Sequence, residues 1–257
     1  MGLREATATL LISSTAGLVS CAGEPVEVEQ LVPRIVAVHP FDASSFTQGL
    51  ELEEGGTLLV GTGEYGESRI YRTTLEGQEL ASAGLEPERF GEGITRHGGH
   101  IWQLTWRGQV AVKRDADTLE EIDRVPYPGE GWGLCSTGEE LIMSDGTDTL
   151  RRLDPGTFAE LDRFQVTADG LPQENLNELE CVDGDIYANV FLTTDILRID
   201  ADGTVTAVID AAGLPNNAEP AADHVLNGIA HVPGTDRFLV GGKRWPDLYE
   251  VELIPAQ

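Results

Sequence analysis

What most constrains this chain is a repeat. Five segments share one pattern: Phe46-Thr-Gln-Gly-Leu50, Phe90-Gly-Glu-Gly-Ile94, Glu130-Gly-Trp-Gly-Leu134, Asn175-Leu-Asn-Glu-Leu179 and Val225-Leu-Asn-Gly-Ile229. Their closing apolar residues lie 44, 40, 45 and 50 positions apart, the period of one four-stranded propeller blade. A second apolar run follows each copy: Leu58-Leu-Val, Ile101-Trp-Gln-Leu, Leu141-Ile-Met, Ile186-Tyr-Ala-Asn-Val and Phe238-Leu-Val. The gaps hold turn residues such as Glu54-Gly-Gly and Asp183-Gly, so each pair reads as a hairpin. A third run alternates as a strand with one buried face does, as in Gln109-Val-Ala-Val and Thr149-Leu-Arg-Arg-Leu. Fourth strands are visible at Glu79-Leu-Ala, Glu121-Ile-Asp-Arg-Val, Glu160-Leu-Asp-Arg-Phe and Thr206-Ala-Val-Ile.

The fifth unit runs out of chain after Leu253, and the unassigned run Arg34-Ile-Val-Ala-Val38 can supply its outer strand. That strand would close the ring and remove a free sheet edge. The expected fold is therefore all-β: a five-bladed β-propeller of four-stranded blades over residues 34–257, closed by an N-terminal strand. Before it, Arg4 and the apolar stretch Ala6 to Val19 read as a signal segment, too short for a permanent span. Its end, Leu18-Val19-Ser20-Cys21, resembles a lipobox, which makes Cys21 a candidate lipidation site; the alternative is an ordinary secretory signal with an incidental cysteine. Residues 1–21 are thus assigned to export, periplasmic or extracellular, with membrane contact only through that anchor. The Glu- and Pro-rich residues 22–33 are assigned to a tether.

Charge narrows the partners. A formal net charge of -27, from 44 acidic and 17 basic residues, argues against nucleic acid and anionic membrane surfaces, which need Lys and Arg. Two of the basic residues are lysines, Lys113 and Lys243. Export permits a disulfide, but Cys135 and Cys181 stand one and two positions past equivalent repeat residues. Strand alternation then puts them on opposite faces, and two buried free thiols are expected.

In a propeller the start of each first strand and the end of each second strand meet at one channel mouth. Two residues before each repeat's last position stand Gln48, Glu92, Trp132, Asn177 and Asn227; five past the start of each second run stand Gly63, Trp106, Gly146, Phe191 and Lys243. Singly, the amides could satisfy backbone groups, the indoles could pack between blades and Glu92 could pair with Lys243. Together, a carboxylate, amides, a lysine and indoles compose an apolar-walled polar pocket.

At these residues the sequence resembles the plant and bacterial, papaya-type, glutaminyl-peptide cyclotransferases. The resemblance runs from about Phe46 to Leu253 and includes Phe46-Thr-Gln-Gly-Leu-Glu51, Phe90-Gly-Glu-Gly93, Gln103-Leu-Thr-Trp106, Gly131-Trp-Gly-Leu134, Ser144-Asp-Gly146, Leu176-Asn-Glu-Leu-Glu180, Leu226-Asn-Gly-Ile-Ala230 and Gly242-Lys-Arg-Trp-Pro246. It implies a five-bladed propeller that converts N-terminal glutamine of peptides to pyroglutamate and releases ammonia, with no cofactor or metal. It also implies a pocket of Phe46, Gln48, Glu92, Trp106, Trp132, Asn177 and Lys243, with Glu92 and Lys243 catalytic and the others holding substrate. Where the family carries a further tryptophan this chain has Phe191, which keeps an apolar wall and removes an indole donor. The five histidines show no compact ligand spacing. Two rival expectations stand beside this one: a calcium-dependent propeller lactonase or esterase using Glu92, Asn177 and Asn227 as oxygen ligands, and a non-catalytic binding propeller. The chain is expected to act as a monomer on peptides or proteins that begin with glutamine.

Overall fold

The computed structural model describes residues 1–2 and 27–256. The apolar run 6–19, Cys21 and residues 22–26 of the expected tether lie outside the described residues. Every regular element among the described residues is a β-strand. Strand β1 spans Glu29–Pro40. The first unit holds β2–β5 at Thr47–Leu52, Thr57–Thr62, Arg69–Thr74 and Glu79–Gly84; the second holds β6–β9 at Gly91–His97, His100–Thr105, Val110–Asp115 and Glu121–Pro126. The third holds β10–β13 at Leu134–Ser136, Leu141–Met143, Thr149–Leu153 and Glu160–Gln165, followed by the small hairpin β14 (Thr167–Ala168) and β15 (Leu171–Pro172). The fourth holds β16–β19 at Leu176–Val182, Asp185–Val190, Asp195–Ile199 and Val205–Asp210, and the last holds β20–β22 at Leu226–His231, Arg237–Gly242 and Asp247–Pro255.

The first three units are separate antiparallel four-stranded sheets in sequence order. Apart from the β14–β15 hairpin, the remaining strands form one eight-stranded sheet, ordered β16-β17-β18-β19-β1-β22-β21-β20. Strand β1 makes that join. It pairs antiparallel with β22, for example Val38 with Tyr249 and Val32 with Ile254, and its first residues Glu29–Leu31 pair parallel with Ala207–Ile209 of β19. Glu29–Pro33, expected in the tether, are therefore strand: the edges of two neighbouring units offer them backbone partners that a free linker would lack.

First strands contact one another in cyclic order, β2 to β6, β6 to β10, β10 to β16, β16 to β20 and β20 back to β2. Burial follows from this packing. The first two strands of each unit are nearly all buried, the third alternates, and outer strands such as β9 and β13 are largely exposed. Apolar clusters lie between successive sheets: Leu59 and Ile70 pack with Ile94, Ile101 and Leu119, and Trp102, Leu104 and Tyr127 pack with Leu134, Leu141 and Met143. Each sheet thus buries both faces against its neighbours, the layer rule applied around a ring of sheets.

That stacking overturns the expectation of two free thiols. Cys135 of β10 and Cys181 of β16 form a disulfide, with Cα atoms 5.5 Å apart. The alternation argument correctly assigns the two residues to opposite faces. Between strands of one sheet that would separate them, but between sheets stacked face to face it points one at the other.

Close approach of the first strands also explains the fourth repeat position. Glycine fills it in four units, and a Cβ on Gly93 would meet Trp132 O and Leu134 N at 2.7 Å. The fourth unit has Glu178 there, whose side chain reaches into the space the glycines leave. Its Oε1 accepts the Leu50 N–H at 3.2 Å and its Oε2 accepts the Ile229 N–H at 2.9 Å. One buried carboxylate so satisfies donors on two other first strands, β2 and β20, which would otherwise be orphaned. Burial drives its carboxyl well above the ordinary range, against the backbone bond from Ile229.

Candidate active site

Four of the five first strands carry a β-bulge at the same place. The ladder register shifts between Thr47 and Gly49, Gly91 and Ile94, Leu176 and Leu179, and Leu226 and Ile229. These bulges enclose Gln48, Glu92, Asn177 and Asn227. A bulge re-aims the side chain at its extra residue, which turns Gln48, Glu92 and Asn177 toward the mouth. A backbone bond then locks the end of the second strand to the start of the first: the N–H groups of Gly63, Trp106, Phe191 and Lys243 donate to the carbonyls of Phe46, Phe90, Asn175 and Val225 at 2.8–2.9 Å.

The result is a pocket of about 250 Å³ lined by Phe46, Gln48, Glu92, Trp106, Trp132, Asn177, Phe191 and Lys243, together with Glu64, Phe90 and Asp223. All eight side chains expected to form the site, Cys21 apart, line this one cavity. Asn227 does not: it is fully buried below, where its Nδ2 donates to Gln48 Oε1 at 3.0 Å and to Thr47 O at 2.9 Å. It thereby fixes the orientation of the Gln48 amide. With Oε1 occupied, the NH₂ group of Gln48 is the end left for the Glu92 carboxylate, whose charged form Gln48 favours. Gly63 and Gly146 do not line the cavity either. A Cβ on Gly63 would collide with the Phe90 ring, and one on Gly146 would meet Trp132 at 2.7 Å; the two bare positions make room for rings from the adjoining first-strand ends.

Glu92 and Lys243 are each 4 % exposed, and this burial controls both. Burial drives the Glu92 carboxyl well above the ordinary carboxylate range; the Lys243 charge and the Gln48 hydrogen bond pull it back, and the Glu130 charge pushes it further up. Burial lowers the Lys243 ammonium, while Glu92, Asp223 and Glu64 support its charge. The Lys243 Nζ lies 4.9 Å from the centroid of Phe46 and 5.0 Å from that of Phe191. Two ring faces on one ammonium hold the cation in a desolvated site, each contact worth about 0.5–2 kcal/mol. The phenyl of Phe191 supplies such a face without an indole N–H.

Three further features were missed by sequence reasoning. Phe90 packs edge-on against Phe46 and Trp106 at centroid distances of 6.1 and 5.6 Å. Glu130 accepts the indole N–H groups of Trp106 and Trp132 on a single oxygen, Oε2, at 2.7 and 3.1 Å. Glu64 and Asp223 bring carboxylates to the rim. The signal for the first two was present, since Phe46, Phe90 and Glu130 share the opening position of the repeat. Glu64 and Asp223 sit in connecting loops with no counterpart in the repeat.

The arrangement can therefore bind a small polar group between aromatic walls, exchange a proton with it through Glu92, and meet a developing oxyanion with amide and ammonium donors. Known proteins share both sequence and fold with this chain. The crystal structure of Myxococcus xanthus glutaminyl cyclase superposes with a TM-score of 0.84 at 36% identity, covering 90% of this chain and 100% of that one. The glutaminyl-peptide cyclotransferase of Arabidopsis thaliana is 35% identical over 229 residues, which are 86% of this chain and 71% of the relative. The family model described as glutamine cyclotransferase matches residues 6–253, and with that span and those identities the chain belongs to the glutamine cyclotransferase family.

Proposed function

We propose that this protein is a glutaminyl-peptide cyclotransferase built on a five-bladed propeller whose ring β1 closes. The observation that carries the reading is a buried carboxyl, Glu92, set among aromatic walls within reach of the Gln48 amide and the Lys243 charge. The glutamine side chain of the substrate lies between Phe46, Trp106, Trp132 and Phe191, and the rest of the peptide extends into solvent. Its α-amine is tethered to the γ-amide it attacks, so the substrate itself supplies most of the proximity. What the protein must manage is protons and charge.

The α-amine nitrogen bonds to the γ-carbonyl carbon while Glu92 accepts the proton that the nitrogen gives up. The carbonyl oxygen becomes an oxyanion, held by the Gln48 NH₂, the Asn177 amide and the Lys243 ammonium. Glu92 then returns the proton to the γ-nitrogen, the C–N bond breaks, and ammonia leaves with pyroglutamate on the peptide. The raised Glu92 carboxyl suits both halves of this exchange, because a proton carrier works best when its pKa lies near the operating pH.

Incubating the purified protein with a peptide that begins with glutamine, and following its mass, tests the reading: a mass loss of one ammonia and a blocked N-terminus are expected, and an unchanged mass after prolonged incubation overturns it. Chelation separates the lactonase reading. Asn227 is fully buried and does not line the cavity, so turnover is expected to survive a chelator unchanged. Lys243→Met should lower kcat by about 10²-fold, the scale of losing an oxyanion donor, with the fold retained in a circular dichroism melt; wild-type turnover would remove Lys243 from the mechanism. The proposal extends to export of the chain and acylation at Cys21, which a Cys21→Ala variant tests through loss of the protein from the membrane fraction.

A further inference from the structure

Glu130 stands where two walls of the pocket meet, and the ring-closing chemistry does not use it. Trp106 follows β7 and Trp132 precedes β10, so the two indoles come from different sheets. Both donate to the same Glu130 oxygen, at 2.7 and 3.1 Å. The other oxygen accepts Arg107 Nε at 2.9 Å, and the Arg107 guanidinium stacks 3.9 Å from the Trp106 ring centroid. An indole has a single donor. With both spent on Glu130, each ring is fixed in rotation and turns apolar surface to the cavity. The restraint passes outward, because Trp132 meets Phe191 edge-on at 5.4 Å and Trp106 meets Phe90 at 5.6 Å.

The same group carries charge. Burial works against its ionisation, but the hydrogen bonds from Arg107, Trp132 and Trp106 outweigh it and hold the Glu130 carboxyl below the ordinary range. The two indoles bonded to Glu130 line the same cavity as Glu92, so this anion acts on Glu92 across the pocket wall together with Lys243 and Gln48, with Tyr127 also near Glu92 and Glu64 and Asp223 on the rim. Like charge makes it costlier for Glu92 to give up its proton and makes the Glu92 carboxylate a stronger base.

We propose that Glu130 is a positioning residue with two separable roles: it clamps the indole walls of Trp106 and Trp132 through one shared oxygen, and it places a fixed negative charge behind the wall of the cavity that holds Glu92. This rests on the reading of Glu92 as the proton carrier, and the test separates the two. Glu130→Gln keeps an acceptor oxygen and removes the charge; Glu130→Ala removes both. With a glutamine-initiated peptide, Glu130→Gln is expected to keep its KM while the acid limb of kcat/KM, which reports the free enzyme's base, moves to lower pH. Glu130→Ala is expected to lose about 10²-fold in kcat/KM, the scale of misplacing a substrate-positioning group, chiefly through a raised KM.

Fluorescence gives a readout independent of turnover. Of the four tryptophans, Trp102 and Trp245 are buried at 0 % and 3 % exposure, so acrylamide quenching reports mainly on Trp106 and Trp132. Quenching should rise in Glu130→Ala and stay at the wild-type level in Glu130→Gln. Unchanged quenching and KM in Glu130→Ala overturn the clamp, and an acid limb unmoved in Glu130→Gln overturns the electrostatic role. Absence of ammonia release from the wild type would instead defeat the proposed function, while the quenching comparison would still decide the clamp.

Discussion

Glu92→Gln is expected to abolish measurable ammonia release from a glutamine-initiated peptide, a loss of about 10²–10⁴-fold, while leaving the protein folded. The two halves of that expectation come from the same burial. A carboxylate at 4 % exposure is costly to ionise, and its amide isostere keeps the shape and a hydrogen-bonding partner for Gln48 without that cost. A structural carboxylate would behave the other way, because replacing it would lower stability and spare turnover. Steady-state ammonia release beside a thermal melt at slightly alkaline pH distinguishes them. Full activity in the variant would take Glu92 out of the mechanism. In the parent, activity should rise with pH as Glu92 and the substrate ammonium lose their protons.

Removing the Cys135–Cys181 bridge is expected to cost about 2–4 kcal/mol of stability with little effect on turnover. The two residues are 46 apart in sequence, and the chain-entropy account assigns about 4 kcal/mol to a closed loop of that length. The bridge ties the third unit to the fourth near the ends of their first strands, whereas the pocket lies at the starts. A Cys135→Ala/Cys181→Ala variant should show a lower urea midpoint than the parent, and reductant should lower the parent's midpoint but not the variant's. Equal midpoints would show that the bridge contributes nothing. A structural disulfide also fits an oxidising compartment, which supports the export proposed for this chain.

The sequence made the first strands, the second strands and most of the pocket legible for one physical reason. A repeat whose every copy must present the same surface to its neighbours cannot hide its register, and Gln48, Glu92, Asn177, Trp106 and Lys243 could be located by counting from it. What stayed hidden depended on contacts between copies. The alternation rule placed Cys135 and Cys181 correctly within their strands, yet only the stacking of sheets showed that they meet. Glu130 stood in the aligned repeat and passed unnoticed, because its role comes from two indoles that approach it from different sheets. Glu29–Pro33 have the composition of a linker, and become strand because two sheet edges lie on either side of them. Asn227 was counted into the mouth by its repeat position, but hydrogen bonds to Gln48 and Thr47 keep it underneath.

The bare positions beneath the rings have a consequence for how such a pocket can vary. Phe90 rests where a side chain on Gly63 would be, and Trp132 where one on Gly146 would be. Each aromatic wall and the empty site behind it form a matched pair. Shrinking a ring alone would open a void behind the wall, and filling a glycine alone would drive the ring into the space that a ligand needs. A binding site for a differently shaped ligand is therefore reached through paired exchanges across neighbouring units, and single exchanges at these positions lead to a looser or a blocked cavity.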